Sequence, residues 1–373
     1  MPMPPWFHAP ALVALADAHP TPFYAYHGPT LDAAAAQLRT LRSVDRIFYA
    51  QKANGHAQVL ARLAGHGLGL ECVSAGELAA GDGLDAPLLF TPNFAPRAEY
   101  AEAFARGSHV TLDGLHPLAR WPELFRGRDV LLRFDLGVGR GHHRHVRTSG
   151  GDAKFGLAPE DLPAARDLAA AAGARIVGLH THSGSGIFDA GTWAEHLDAL
   201  QPLAEALPDV RIFNLGGGLG VPYGRGHVLD LAAVDAALAQ ARARAPRAVE
   251  VWLEPGRFLV CEAGVLVLRV TQIKDKHGRR FVGVDGGMNA LIRPALNGAR
   301  HPVVSLTRPG APSAGRVTLV GPCCESADVL ARNIALPEVE EGDLLALTHA
   351  GAYGFTMASR YNLREVGEVF IPG

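Results

Sequence analysis

Lys52 stands in the run Tyr49-Ala50-Gln51-Lys52-Ala53-Asn54, directly after a short apolar segment that reads as a strand. If that strand belongs to a β/α barrel, its C-terminal end faces the catalytic mouth. Loss of water there lowers an amine's pKa and suits it to Schiff-base chemistry. Most single lysines are surface residues, so the neighbours decide. His180-Thr181-His182-Ser183-Gly184-Ser185-Gly186 follows another strand-like run. A flat imidazole at such a place can stack on an aromatic ring, while Ser and Gly offer donors to a phosphate. His180 and His182, two apart on a strand, also point the same way and can bind a metal, but no third ligand has recognisable spacing. In Asn214-Leu215-Gly216-Gly217-Gly218-Leu219-Gly220 the backbone is bare enough for a phosphate to approach its N–H groups. The cluster comes too late for the glycine signature that opens a dinucleotide fold. Glu254-Pro255-Gly256-Arg257 offers a carboxylate that can keep a pyridine nitrogen protonated, although a Glu–Arg pair is as often a structural ion pair.

A last group lies towards the C-terminus: Arg293-Pro294, Gly321-Pro322-Cys323-Cys324-Glu325-Ser326 and Ala350-Gly351-Ala352-Tyr353-Gly354. Arg293 can grip a carboxylate through two parallel bonds, Cys324 can donate a proton and Glu325 can pair with an ammonium. Taken singly, these are also a loop thiol, a surface ion pair and a core tyrosine.

The elements that must position these groups alternate. Strand-like runs fall at 46–50, 69–73, 88–91, 109–112, 130–134, 175–182, 210–215 and 249–253, with helical periods at 56–64, 74–80, 97–105, 115–121, 159–172, 190–207 and 231–243. Roughly eight such units match a (β/α)8 TIM barrel in size, with a doubly wound open sheet as the rival. After Glu254 helical period largely disappears and strand runs appear at 264–274, 280–285, 316–320 and 343–349, which reads as a second, mainly antiparallel β domain. The run at 23–26 can add a strand to it. The expected division is therefore a barrel over 28–256 and a β domain built from 1–27 and 257–373.

Composition sets limits on function. With 35 basic and 37 acidic residues among 373, the formal charge of -2 gives no field that would gather nucleic acid or an anionic membrane surface. No apolar run reaches membrane-spanning length, and the start lacks the pattern of a secretory signal. Four cysteines, two of them adjacent, do not form a disulfide framework. A small-molecule enzyme in a reducing, cytoplasmic compartment is the expectation.

In this order, the motifs resemble the fold-type III pyridoxal-phosphate decarboxylases, the family acting on diaminopimelate, ornithine and arginine, and the likeness runs from Phe23 to Ile371. The resemblance implies pyridoxal 5'-phosphate as cofactor, no metal, an amino-acid substrate and a homodimer with shared active sites. By the same resemblance Lys52 is the lysine that holds the cofactor, with Glu71 and Arg133 at strand ends beside it. His182 is the imidazole stacked on the ring. Ser185, Gly216, Gly217, Gly218, Arg257 and Tyr353 form the phosphate cradle, and Glu254 partners the pyridine nitrogen. Cys324 and Glu325 reach the neighbouring subunit's site, Cys324 as a catalytic group. Arg257, Arg293, Asn297, Glu325 and Tyr353 contact substrate.

Within the family, Asp285-Gly286-Gly287-Met288-Asn289 running into Ile292-Arg293-Pro294 resembles the branch that decarboxylates meso-2,6-diaminopimelate to L-lysine. Glu325 and Arg293 suit a substrate whose far end carries both an ammonium and a carboxylate. Two features depart from the pattern. Asn297 stands where the family usually has tyrosine, which keeps open another basic amino acid or a carboxylated polyamine as substrate. The His- and Arg-rich stretch 137–151 resembles the decarboxylase half of fused aspartate kinase–decarboxylase proteins, which would make the chain one module of a longer polypeptide. A racemase of the alanine type, a non-catalytic cofactor carrier and a metal-dependent hydrolase built on His180 and His182 are the more distant alternatives.

Overall fold

The computed structural model describes Trp6 and residues 9–137, 153–223, 226 and 228–373. The His- and Arg-rich stretch singled out above lies, from residue 138 on, outside the described residues. The chain divides into two compact units. One comprises Ala34–Val221 and His227–Gly256; the other comprises Met1–Ala33, Pro222–Gly226 and Arg257–Gly373.

The strands in chain order begin with β1 (Phe23–His27), which belongs to the β unit. Next come β2 (Arg46–Ala50), β3 (Gly69–Cys72), β4 (Leu88–Phe90), β5 (His109–Leu112), β6 (Asp129–Arg133), β7 (Arg175–His180), β8 (Ile212–Asn214) and β9 (Glu250–Leu253). These eight close into a barrel, every adjacent pair parallel, and β2 pairs with β9 to complete the circle. The open-sheet alternative is thereby excluded. Inside, Phe48, Leu89, Leu131, Val177, Ile212 and Trp252 form one buried cluster, the packed barrel interior that alternating side chains create. Helices connect the strands, and their ends follow local chemistry. Ser74 caps Ala75–Ala80 by accepting the Glu77 N–H, and Gly173, at φ 72°, ends Leu162–Ala172 in the left-handed conformation that glycine tolerates.

The β unit continues with β10 (Gly264–Lys276), β11 (Arg279–Val284), β12 (Val303–Ser305), β13 (Gly315–Val320), β14 (Val329–Leu336), β15 (Leu344–Leu347) and β16 (Gly367–Ile371). Five of its seven strand pairings are antiparallel. As expected, β1 joins this sheet: Phe23 opposes Val267 on one side and Gly367 on the other. Its core gathers Phe23, Ala25, Val265, Val267, Leu306, Leu344 and Ala346, with Trp6, Leu12 and Ala16 packed against them.

Candidate active site

Strand register gathers the first group of side chains. Ala50 pairs with Glu71, Arg133 with His180 and His180 with Asn214, so these residues share the C-terminal rim of the barrel. Lys52 follows β2 in a single 3-10 turn, Gln51–Ala53. That turn is fastened from both sides. The Gln51 amide reaches Cys72 Sγ at 2.9 Å and the Glu77 carbonyl at 3.1 Å, while Tyr49 Oη donates to the Asn54 carbonyl at 2.8 Å. Buried anchors thus hold a side chain that is itself open, since 43% of the Lys52 side chain is accessible. The expected desolvation of this amine is not seen. Its charge is compensated instead by an ion pair with Glu71, whose carboxylate is buried. Burial lifts the Glu71 pKa to about 7, against the opposing pull of Lys52.

Across the rim lies Glu254, also buried. Its carboxylate accepts from Asn214 Nδ2 at 2.7 Å and Thr91 Oγ1 at 3.4 Å, and His180 Nε2 lies 3.3 Å away. Burial would raise its pKa, but the neighbouring His180, the Lys52 charge and the Asn214 bond outweigh that and bring it to about 2. Two acids of one type on one rim are therefore driven apart, one towards neutrality and one held ionised.

His182 lies just beyond β7, which ends at His180 rather than at the expected residue 182. Burial and the Arg133 charge push its pKa well down, so the imidazole is neutral. It packs against the glycine cluster, where a Cβ on Gly216 would lie 2.7 Å from His182 Nδ1. The cluster's donors are distributed unequally. Gly216 N–H donates to Asn214 Oδ1 at 3.0 Å and Gly217 N–H to His182 Nδ1 at 3.3 Å. The N–H groups of Gly218 and Leu219 donate to nothing among the described residues. Gly218, at φ 96°, accepts from the N–H groups of Gly186 and Ile187, which ties the Ser183-to-Gly186 turn to the glycine run. Ser185 lies within that turn, half-buried. Arg133 is buried against Asp113 at 3.3 Å, with its guanidinium 4.8 Å over the Phe155 ring.

In the β unit, Arg257 lies 4.8 Å over the Tyr353 ring and donates to Tyr223 Oη at 2.6 Å. Arg293 is buried and donates to the same phenol oxygen at 3.0 Å. Asn297 ends the short helix Arg293–Asn297, its Oδ1 buried with no hydrogen-bond partner among the described residues. Cys324 and Glu325 are exposed on a turn. Asn362 accepts the Cys324 N–H at 3.1 Å, and Tyr361 Oη donates to Glu325 at 2.9 Å. Buried Asp328 braces that turn by accepting the N–H groups of Met288 and Cys323, both at 2.6 Å. Sequence reasoning passes over Tyr223, His301, Asp328 and Thr91. Only Tyr223 carries a signal, the Pro222-Tyr223 step directly after the glycine cluster.

An accessible lysine paired with a buried acid, a second acid held ionised, a neutral flat imidazole and a glycine run with unspent donors fit a phosphorylated pyridine aldehyde. Residues 31–261 match the family described as "Pyridoxal-dependent decarboxylase, pyridoxal binding domain", and the chain belongs to that family of barrel decarboxylases. Among its relatives, it is 37% identical to the diaminopimelate decarboxylase of Deinococcus radiodurans, over 91% of this chain and 87% of that protein. It is 35% identical to the diaminopimelate decarboxylase of Streptomyces coelicolor, over 100% and 89%. The crystal structure of diaminopimelate decarboxylase from Helicobacter pylori complexed with L-lysine superposes with a TM-score of 0.90 at 28% identity, covering 96% of this chain and 94% of that one.

Proposed function

We propose that this chain decarboxylates meso-2,6-diaminopimelate to L-lysine with pyridoxal 5'-phosphate. The observation that carries the reading is the barrel rim itself, where Lys52, Glu71, His182, the glycine run and Glu254 sit as one constellation on successive strand ends. When bound, the cofactor supplies an electron sink for the pair released as the carboxylate leaves the α-carbon.

The chain's residues do the rest. Lys52 Nζ anchors the cofactor, and Glu71, titrating near neutrality, takes the proton that a nucleophilic amine must lose. Glu254 holds a permanent negative charge for a ring N–H, and His182 offers a neutral face for stacking. Gly218 and Leu219 N–H groups, with Ser185, Arg257 and Tyr353, serve the phosphate. Arg293 takes the far carboxylate of the substrate and Asn297 adds a buried acceptor. The chain acts as a homodimer in which Cys324 and Glu325 of each copy serve the other's site, Cys324 as proton donor to the α-carbon and Glu325 as partner of the far ammonium; their exposure on a braced turn supports this. All four cysteines are free, which supports a cytoplasmic location, and no described helix is long and apolar enough to cross a membrane.

The test is carbon dioxide release from meso-diaminopimelate, lysine, ornithine and arginine with added cofactor. Release from meso-diaminopimelate alone is expected. Asn297 favours a second reading, a different far end on the substrate, and preferential turnover of another member of the panel would replace the first. Lys52→Ala should lose both turnover and the visible absorbance of lysine-bound cofactor; retention of both refutes the assignment of the rim.

A further inference from the structure

Arg293 carries a buried charge, 3% exposed, and no carboxylate pairs with it among the described residues. A buried guanidinium left in that state is costly unless its donors are satisfied and its charge meets an anion. Two neutral side chains satisfy part of it. Arg293 Nη1 donates to Tyr223 Oη at 3.0 Å and to His301 Nε2 at 3.2 Å, which uses both of that nitrogen's hydrogens. The Nε and Nη2 edge, the one that matches a carboxylate in two parallel bonds, is left for a ligand.

Both acceptors are fixed in the state the arrangement needs. His301 Nδ1 lies 3.1 Å from the Thr348 carbonyl, which can only accept, so the ring proton sits on Nδ1 and Nε2 presents its lone pair to Arg293. Burial and the Arg293 charge lower the His301 pKa to about 3, so no second proton competes. A guanidinium can only donate, so the Tyr223 phenol oxygen accepts from Arg293 and, at 2.6 Å, from Arg257. The Tyr223 ring is wedged edge-on to His301, with centroids 5.7 Å apart, and stacked on His349 at 5.6 Å.

We infer that Tyr223 and His301 are positioning residues that aim the free edge of Arg293 at a carboxylate on the far end of the substrate, and that Tyr223 couples this carboxylate site to the phosphate arginine, Arg257. The inference rests on the function proposed above for Arg293 and Arg257. A diamino dicarboxylic acid is thereby selected over an amino acid with a bare amine tail, because only the former satisfies the aimed edge. Neither residue touches the reacting atoms.

The experiment uses the holoenzyme and three variants, His301→Leu, His301→Gln and Tyr223→Phe, each checked for folding by its melting curve. In His301→Leu the KM for meso-diaminopimelate should rise roughly ten- to hundredfold, the loss of one bond to a charged group, with kcat little changed. Inhibition by 1,5-diaminopentane, which lacks the far carboxylate, should keep its wild-type constant, whereas the constant for the product L-lysine, which retains it, should rise with KM. Because its Oε1 can accept from Arg293, His301→Gln should recover most of the loss. Tyr223→Phe should raise that KM and also weaken cofactor binding to the apoenzyme severalfold, whereas His301→Leu leaves cofactor binding alone. An unchanged KM in His301→Leu and Tyr223→Phe, or a 1,5-diaminopentane inhibition constant that moves as far as KM, overturns the inference while the proposed function stands. If the wild-type holoenzyme does not turn over meso-diaminopimelate, that function fails instead, and cofactor affinity still decides the coupling: a wild-type value in Tyr223→Phe refutes it. Should His301→Leu not fold, Tyr223→Phe, which removes a single oxygen, carries the same test.

Discussion

Replacing Gly218 by alanine tests whether the glycine run is a phosphate cradle or merely a tight turn. A Cβ at this position would stand 2.6 Å from the Gly184 carbonyl oxygen and 3.0 Å from Ile187 Cδ1. Ordinary contact begins near 3.4 Å, so the two backbone segments must part by about 0.8 Å. They resist, because Gly186 N and Ile187 N both donate to the Gly218 carbonyl, at 3.0 and 2.9 Å. Overpacking of this kind costs about 1–3 kcal/mol, and a φ of 96° adds about 1–3 kcal/mol for any residue with a Cβ. The melting temperature should fall by several degrees. The same displacement carries away the Gly218 N–H, and a bond from it to a phosphate is worth about 1.5–3 kcal/mol, which weakens cofactor affinity about ten- to hundredfold. The assay is a spectroscopic titration of apoenzyme with pyridoxal 5'-phosphate beside a thermal melt. Gly65→Ala is the matched control, since it sits in a helix and nothing lies within 4 Å of the point its new methyl would occupy. A folded Gly218→Ala variant that binds cofactor with wild-type affinity would refute the cradle, whatever its melting temperature.

Two further outcomes follow from buried groups. Asp328→Asn puts an amide donor against one of two N–H donors that the carboxylate now satisfies, and should cost about 1–3 kcal/mol in denaturant unfolding while slowing turnover, since the Cys324 turn loses its brace. Acid should destabilise the fold below pH 6.5: with the folded pKa of His301 at about 3 against an ordinary 6.5, the unfolded chain binds a proton in that window that the folded chain refuses. Glu254 adds to the loss between pH 4.5 and about 2. Melts of His301→Gln across pH 4–7 should show a shallower decline than wild type, and parallel curves would contradict the buried neutral imidazole.

Much of this molecule is readable from residue types because its elements obey simple periods. The barrel strands carry short β-branched or apolar runs, and β2, β5 and the helix Arg97–Ala105 fall where the pattern puts them. Strand β14 is not legible in this way. Its sequence Val-Leu-Ala-Arg-Asn-Ile-Ala-Leu holds Asn333 at φ 54° and pairs with β13 through two irregularities, so no alternation survives to read. Strand β16 is short and half-buried along most of its length, and its pairing with β1 is made at the far end of the chain. At the site, the sequence exposes groups whose chemistry is local, such as Lys52 and the glycine run. It hides those whose role is set by partners distant in sequence. Thr91 reaches Glu254 across 163 positions and Tyr223 reaches Arg293 across 70, and neither spacing has a motif. The state of Lys52 escapes the sequence for a related reason: the residue that neutralises it, Glu71, belongs to the next strand, and an ion pair relieves the need to strip the amine of water.

Strand β1 has a consequence for how the polypeptide is made. Emerging ahead of the barrel, it finds its antiparallel neighbour only when Gly264–Val267 has left the ribosome, roughly 240 residues later. At about 5–20 residues per second that is a wait on the order of 10–50 s, during which five largely apolar residues, Phe-Tyr-Ala-Tyr-His, show two unpaired edges. The intervening barrel can fold in that interval, so the nascent chain carries a finished domain beside a sticky ribbon, and chaperone demand should concentrate on the segment around this ribbon rather than on the larger domain.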